Sequence, residues 1–142
     1  MKPVFVDTGA WIALTTHRDR FHRAAAAYAR RLTLARTPLV TTNYVLMETY
    51  THIRYDDGHA KALEFDSILQ NLVKMRRLTV VWVTEDMHAR ALDIFRRYAD
   101  QAFSVADCAS FVVARDRKIR EVFGFNSHFL TMSFVLKPGT TR

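Results

Sequence analysis

Val4-Phe5-Val6-Asp7-Thr8-Gly9-Ala10-Trp11 is the stretch that decides the fold. Three β-formers follow Pro3 and run into a carboxylate, a hydroxyl and a glycine. The pattern predicts a short buried strand ending at Asp7, a turn at Gly9 and a helix from about Ala10. In open α/β sheets, ligands bind outside the carboxyl ends of the strands, and Asp7 stands at such an end. Asp and Thr are also favoured helix caps, so this stretch alone leaves Asp7 two roles, cap or functional group.

Outward from that strand, elements alternate. Asp19 is expected to cap a helix running to Leu32, with Phe21, Ala24, Ala25, Tyr28 and Leu32 on one apolar face. Leu39 to Thr42 reads as a second strand, and Asn43 as the cap of a helix ending near Asp57-Gly58. Another helix is expected from about His59 to Lys74. Leu78 to Val83 is an almost continuous apolar run that suits a buried parallel strand. Thr84 and Ser104 open two more helices, the second reaching Arg117. Glu121 to Phe125 and Phe134 to Leu136 complete the set as fourth and fifth strands. Strands alternating with helices predict one α/β domain over residues 1–142. Its expected architecture is a three-layer sandwich, a central parallel sheet of four or five strands flanked by helices.

Composition bounds the function. A chain of 142 residues, 49% hydrophobic and 25% charged, matches a globular domain with a real core. A single cysteine, Cys108, excludes an internal disulfide framework and favours a reducing compartment. Asp7 interrupts any apolar leader, and no run approaches the roughly 20 apolar residues of a spanning helix. The expectation is a cytoplasmic protein with no membrane partner. A formal charge of +7 and a pI near 10.0 favour a polyanionic partner, and six arginines stand between Arg18 and Arg36.

Four residues stand apart from this background. Glu48 lies among Leu46, Met47 and Tyr50 in a helix, where a buried glutamate would need a partner and an exposed one would sit on the solvent stripe. Asp107 falls three residues after Ser104, the spacing of a capping box, yet is the only early acid in the most apolar helix of the chain. Asn126 lies just past the fourth strand, where an asparagine is commonly a turn residue. With Asp7, these place three acids and an amide near strand ends or helix starts. Clustered carboxylates raise one another's pKa unless a cation neutralises them. All-oxygen donors suit Mg²⁺ or Mn²⁺, ions that activate water and offset charge on a phosphoryl group. The histidines show no metal-ligand spacing, and most read as surface or packing residues. Ser104 and Cys108 read as a cap and a core thiol.

The opening strand with Asp7-Thr8-Gly9, the run Thr41 to Thr49, the run Phe103 to Phe111 and the closing Gly124 to Phe129 together resemble the PIN domain. Within it they resemble the VapC-like ribonuclease toxins of prokaryotic toxin–antitoxin systems. The resemblance spans nearly the whole chain. It implies that Asp7, Glu48 and Asp107 hold Mg²⁺ or Mn²⁺, with Asn126 as a fourth catalytic position. It also implies RNA as substrate, a cognate antitoxin as partner and a homodimer. One departure is Asn126, where the family usually carries an aspartate. The expected function is a metal-dependent endoribonuclease. The alternatives are a weakly active or inactive PIN-fold binding module, on account of Asn126, and an aspartic-protease-like enzyme built on Asp7-Thr8-Gly9.

Overall fold

The computed structural model describes residues 2–141. The chain runs β1 (Val4–Val6), α1 (Thr8–Thr15), α2 (His22–Leu34), β2 (Leu39–Thr42), α3 (Asn43–Asp57) and α4 (His59–Lys74). It continues through β3 (Leu78–Val81), α5 (Glu85–Arg97), α6 (Val105–Asp116), β4 (Glu121–Phe123), α7 (His128–Thr131) and β5 (Val135–Lys137). The five strands form one sheet in the order β3-β2-β1-β4-β5, and every pairing is parallel. Val4 is in register with Leu39 on one side and Glu121 on the other. The expected parallel α/β sheet flanked by helices is therefore present, with five strands. The parallel helix-flanked sheet excludes the β-rich fold on which the aspartic-protease alternative depended.

All three residues of β1 are buried, as its central place in the sheet requires. Thr41, also buried, spends its hydroxyl on the Val6 carbonyl at 2.9 Å, which ties β2 to the end of β1. Aromatic rings fill the core around β4 and α6: Phe111 packs edge-on to Phe129 with centroids 5.2 Å apart, and Phe129 edge-on to Phe134 at 5.9 Å. Among the described residues, no helix is long and apolar enough to cross a membrane.

Four local expectations change. Asp19 does not cap α2: the N-cap position is Phe21, and Asp19 Oδ1 accepts the Phe21 amide at 2.9 Å. The apolar run at residues 78–83 forms an edge strand, β3, that stops at Val81 and leaves Trp82 72% exposed. Thr42, not Asn43, caps α3, its hydroxyl accepting the Val45 amide, while Asn43 Oδ1 accepts the Val83 amide at 2.7 Å. The fourth strand ends at Phe123, and the short helix α7 follows it.

The chain winds from β1 outward to β3, then returns across β1 to β4 and β5. The strand order therefore reverses between β1 and β4. In sheets of this type the crevice beyond that reversal is where ligands sit. Asp7 follows β1 and Asn126 follows β4 by three residues.

Candidate active site at the strand switch point

A cleft of about 320 Å³ opens beyond the carboxyl ends of β1 and β4. Asp7, Glu48, Asp107 and Asn126 all line it, together with Thr8 and Phe125. Four separate segments thus bring the four sequence-nominated residues to one place. Asp100, the other acid near Phe103, is exposed and does not line the cleft.

Asp7 occupies the N-cap position of α1 but makes no side-chain cap hydrogen bond, so the capping role does not account for its carboxylate. It is 5% exposed. Burial, with the charges of Asp107 and Glu48 adding to it, pushes its carboxyl up to about 7, against the Thr8 amide, which favours the ion. Gly124 lets the β4 backbone come close: a Cβ there would lie 3.1 Å from Asp7 Cβ.

Asp107 fulfils both readings of its position. It completes a capping box with Ser104, accepting the Ser104 amide at 3.1 Å while the Ser104 hydroxyl accepts the Asp107 amide at 3.0 Å. Its other oxygen accepts Asn126 Nδ2 at 3.2 Å, and His128 Nδ1 lies 3.1 Å from Oδ2. At 8% exposure it is a carboxylate fixed by three neighbours at the cleft wall. Glu48 is exposed and held by the Thr8 hydroxyl, which donates to Oε1 at 2.9 Å.

The Asn126 amide is anchored at both ends. Its Oδ1 accepts the His128 amide at 3.0 Å, so its nitrogen faces Asp107. The Phe125 ring beside it is buried and stacks on Phe21 at 4.5 Å and 5°, and the Arg20 guanidinium sits 4.6 Å from the Phe21 ring centre. His128 and Thr8 are partners of the acids that residue type alone did not single out. Thr8 stands next to Asp7 and His128 two residues after Asn126, and that nearness in sequence was the available signal.

Cys108 is a core thiol, fully buried, with its pKa raised to about 11 chiefly by burial. Most other histidines have local partners: His22 faces the Ala13 carbonyl, His88 the Tyr44 hydroxyl and His52 the Asp56 carboxylate. Among the described residues, no three His, Cys, Asp or Glu side chains are placed together so that they could hold a metal ion. The carboxylates border an open cleft.

Three carboxylates thus line one cleft at the switch point of a parallel α/β sheet. The chain belongs to the PIN domain family, whose profile matches residues 4–135, and it is VapC-like. It is 32% identical over 133 residues to the 23S rRNA-specific endonuclease VapC20 of Mycobacterium tuberculosis, covering 93% of this chain and 95% of that protein. It is 27% identical over 126 residues to a VapC ribonuclease of Archaeoglobus fulgidus, covering 87% and 77%. The crystal structure of VapC20, described as a sarcin–ricin loop cleaving toxin, matches with a TM-score of 0.79 at 29% identity, covering 93% and 96% of the two chains. VapBC2 of Rickettsia felis, solved bound to a promoter DNA fragment, shares the fold with a TM-score of 0.68 at 11% identity, over 94% and 96%.

Proposed function

We propose that this protein is an endoribonuclease that hydrolyses RNA phosphodiester bonds, acting as the toxin of a toxin–antitoxin pair. The observation that carries the reading is the meeting of Asp7, Glu48 and Asp107, from three separate elements, in one cleft at the strand switch point. The similarity to VapC20 supports RNA as the substrate and makes 23S ribosomal RNA the first to test.

The donor set fits Mg²⁺ or Mn²⁺. All donors are oxygens, and the buried Asp7 carboxyl is pushed up to about 7 partly by the two carboxylates it faces, a penalty a cation offsets. Such ions keep several waters and use one or two protein carboxylates, so an open cleft suits them better than a closed cage. Asp7 and Asp107 would hold the ion directly and Glu48 through water. When bound, it supplies an acidified water and neutralises charge on the phosphoryl oxygens.

The chain's own groups supply position. Ser104, Asn126 and His128 fix both oxygens of Asp107. Thr8 aims Glu48, the exposed acid of the three, at the cleft, where it orients the attacking water. Asn126 therefore serves as a positioning residue, since its carbonyl oxygen is taken by the His128 amide. The same reading gives the protein a cognate antitoxin, a homodimeric assembly and a cytoplasmic place of action. The occurrence of this fold in VapBC assemblies supports the first.

The test is cleavage of a mixed RNA pool containing ribosomal RNA, with Mg²⁺ or Mn²⁺ and then with EDTA, beside Asp7→Asn. Metal-dependent cutting by the wild type, reduced about a hundredfold or more in Asp7→Asn at an unchanged or higher Tm, is expected. Full activity in Asp7→Asn would overturn the site assignment.

A further inference from the structure

The end of the sheet opposite the cleft carries a different chemistry. In the strand register, Leu78, Leu39, Val4 and Glu121 form one row across the amino ends of β3, β2, β1 and β4. One to three residues upstream of that row stand Arg76, Arg36, Lys2, Lys118 and Arg120, so each of the four strands is entered past at least one cation. All five are exposed, and none makes an ion pair among the described residues. Lys2, Lys118 and Arg120 border a recess of about 530 Å³ at this end. The carboxylate that also lines it, Glu121, is engaged by the Tyr28 hydroxyl.

Three of these cations sit where the backbone disfavours them. Arg36, Arg76 and Lys118 follow α2, α4 and α6 in the left-handed region, with φ of 53°, 57° and 57°. Glycine is the usual residue at such a helix exit, because a Cβ is strained there. Helix dipoles do not explain the choice, since the last turns of α2, α4 and α6 already hold Arg31, Lys74 and Arg115. A long cationic side chain has thus been placed three times at a position where a side chain costs stability. Strain that recurs at one pole of a fold points to a use for the side chains there.

We propose that this basic edge is a second, sequence-independent binding surface for the phosphate backbone of RNA, apart from the cleft where the chain is cut. Four strands at about 4.8 Å spacing span about 14 Å, long enough to meet several successive phosphates of one RNA strand. Arginine and lysine on exposed turns meet such a backbone without reading bases. The strands are three or four residues long, so only about 10–13 Å of strand separates this edge from the carboxyl ends. A folded RNA is broad enough to touch both ends, whereas a short oligonucleotide in the cleft is not held at the far edge. The surface therefore selects large, structured RNA over short single strands.

This inference rests on RNA being the substrate, and its test separates the two. The variant Arg36→Gly, Arg76→Gly and Lys118→Gly removes three charges and relieves three left-handed residues at once. Binding of a structured ribosomal RNA fragment is measured by titration at several KCl concentrations in EDTA, where no cleavage occurs. The expected result is at least about tenfold weaker binding at 0.1 M salt, and a log Kd against log salt slope smaller by about two to three. The Tm is expected to be unchanged or higher, and cleavage of a short single-stranded oligonucleotide to stay within about twofold. Unchanged RNA binding and slope would overturn the proposal, as would weaker RNA binding accompanied by a lower Tm. So would unchanged RNA binding with lost affinity for polyglutamate, which would assign the surface to an acidic protein. Absence of cleavage by the wild type would instead count against the nuclease reading, while the binding result still stood.

Discussion

At Asp7 a carboxyl group that would titrate near 3.9 in an unfolded chain is held at about 7 in the folded one, by burial first and by Asp107 and Glu48 after it. The folded protein therefore keeps a proton that the unfolded chain has released over that interval. The sign follows: this group's contribution to stability is highest below about pH 4, declines as pH rises and levels off above about pH 7, with a ceiling of about 4 kcal/mol. The expected outcome is a metal-free Tm that falls more steeply between pH 5 and pH 7.5 in the wild type than in Asp7→Asn. Mn²⁺ should raise the wild-type Tm at pH 7.5 far more than at pH 5, because it replaces the proton. Thermal denaturation of both proteins with and without Mn²⁺ checks this. Identical pH profiles for the two would show that Asp7 carries no such penalty. That Asp7 stands at the cleft was legible in its place after a strand. The hydrogen bond from the neighbouring Thr8 hydroxyl to Glu48 was not, because which helix faces β1 is fixed by packing between residues 40 apart.

At the scale of elements, α6 joins helix stability to the cleft wall through one residue. Asp107 closes the Ser104 capping box and walls the cleft with the same carboxylate, so the two readings of the sequence were compatible rather than exclusive. They can be separated through Ser104, whose hydroxyl accepts the Asp107 amide while its backbone amide donates to the carboxylate. Ser104→Ala removes the first bond and keeps the second. We expect a loss of about 1 kcal/mol, a Tm lower by about 3–5 °C, and kcat within about twofold of wild type. A large fall in kcat at unchanged Tm would mean that the hydroxyl serves the chemistry instead of the helix. Element type was legible almost throughout, since amphipathic periods and caps are local. Strand order was not. The run Leu78 to Val83 is apolar enough for the middle of a sheet, yet β3 is an edge strand, because the register that makes β1 central depends on β4, more than 110 residues away in sequence. The four-residue helix α7 has too few turns to leave a periodic signal.

Over the whole molecule, a net charge of +7 is distributed against the site: three carboxylates line the cleft, and exposed cations lie along the opposite edge of the sheet. Some of the arginines between Arg18 and Arg36 have local work, Arg18 pairing with Asp57 and Arg31 lying over the Tyr28 ring. The cleft itself repels a polyanion until a cation occupies it, so attraction of RNA has to come from elsewhere on the surface. Attraction of that kind acts on encounter and ground-state binding and leaves the chemical step alone. Raising KCl from 50 to 200 mM at fixed, saturating Mn²⁺ should therefore increase KM for a structured ribosomal RNA by roughly 40- to 150-fold, the range for three to four phosphate contacts, with kcat unchanged. Steady-state kinetics at four salt concentrations measures both. A kcat that falls with salt while KM holds would place the salt-sensitive charges in the cleft. In that case Asp7, Glu48 and Asp107 would govern the ionic response, and the basic edge would have no part in catalysis.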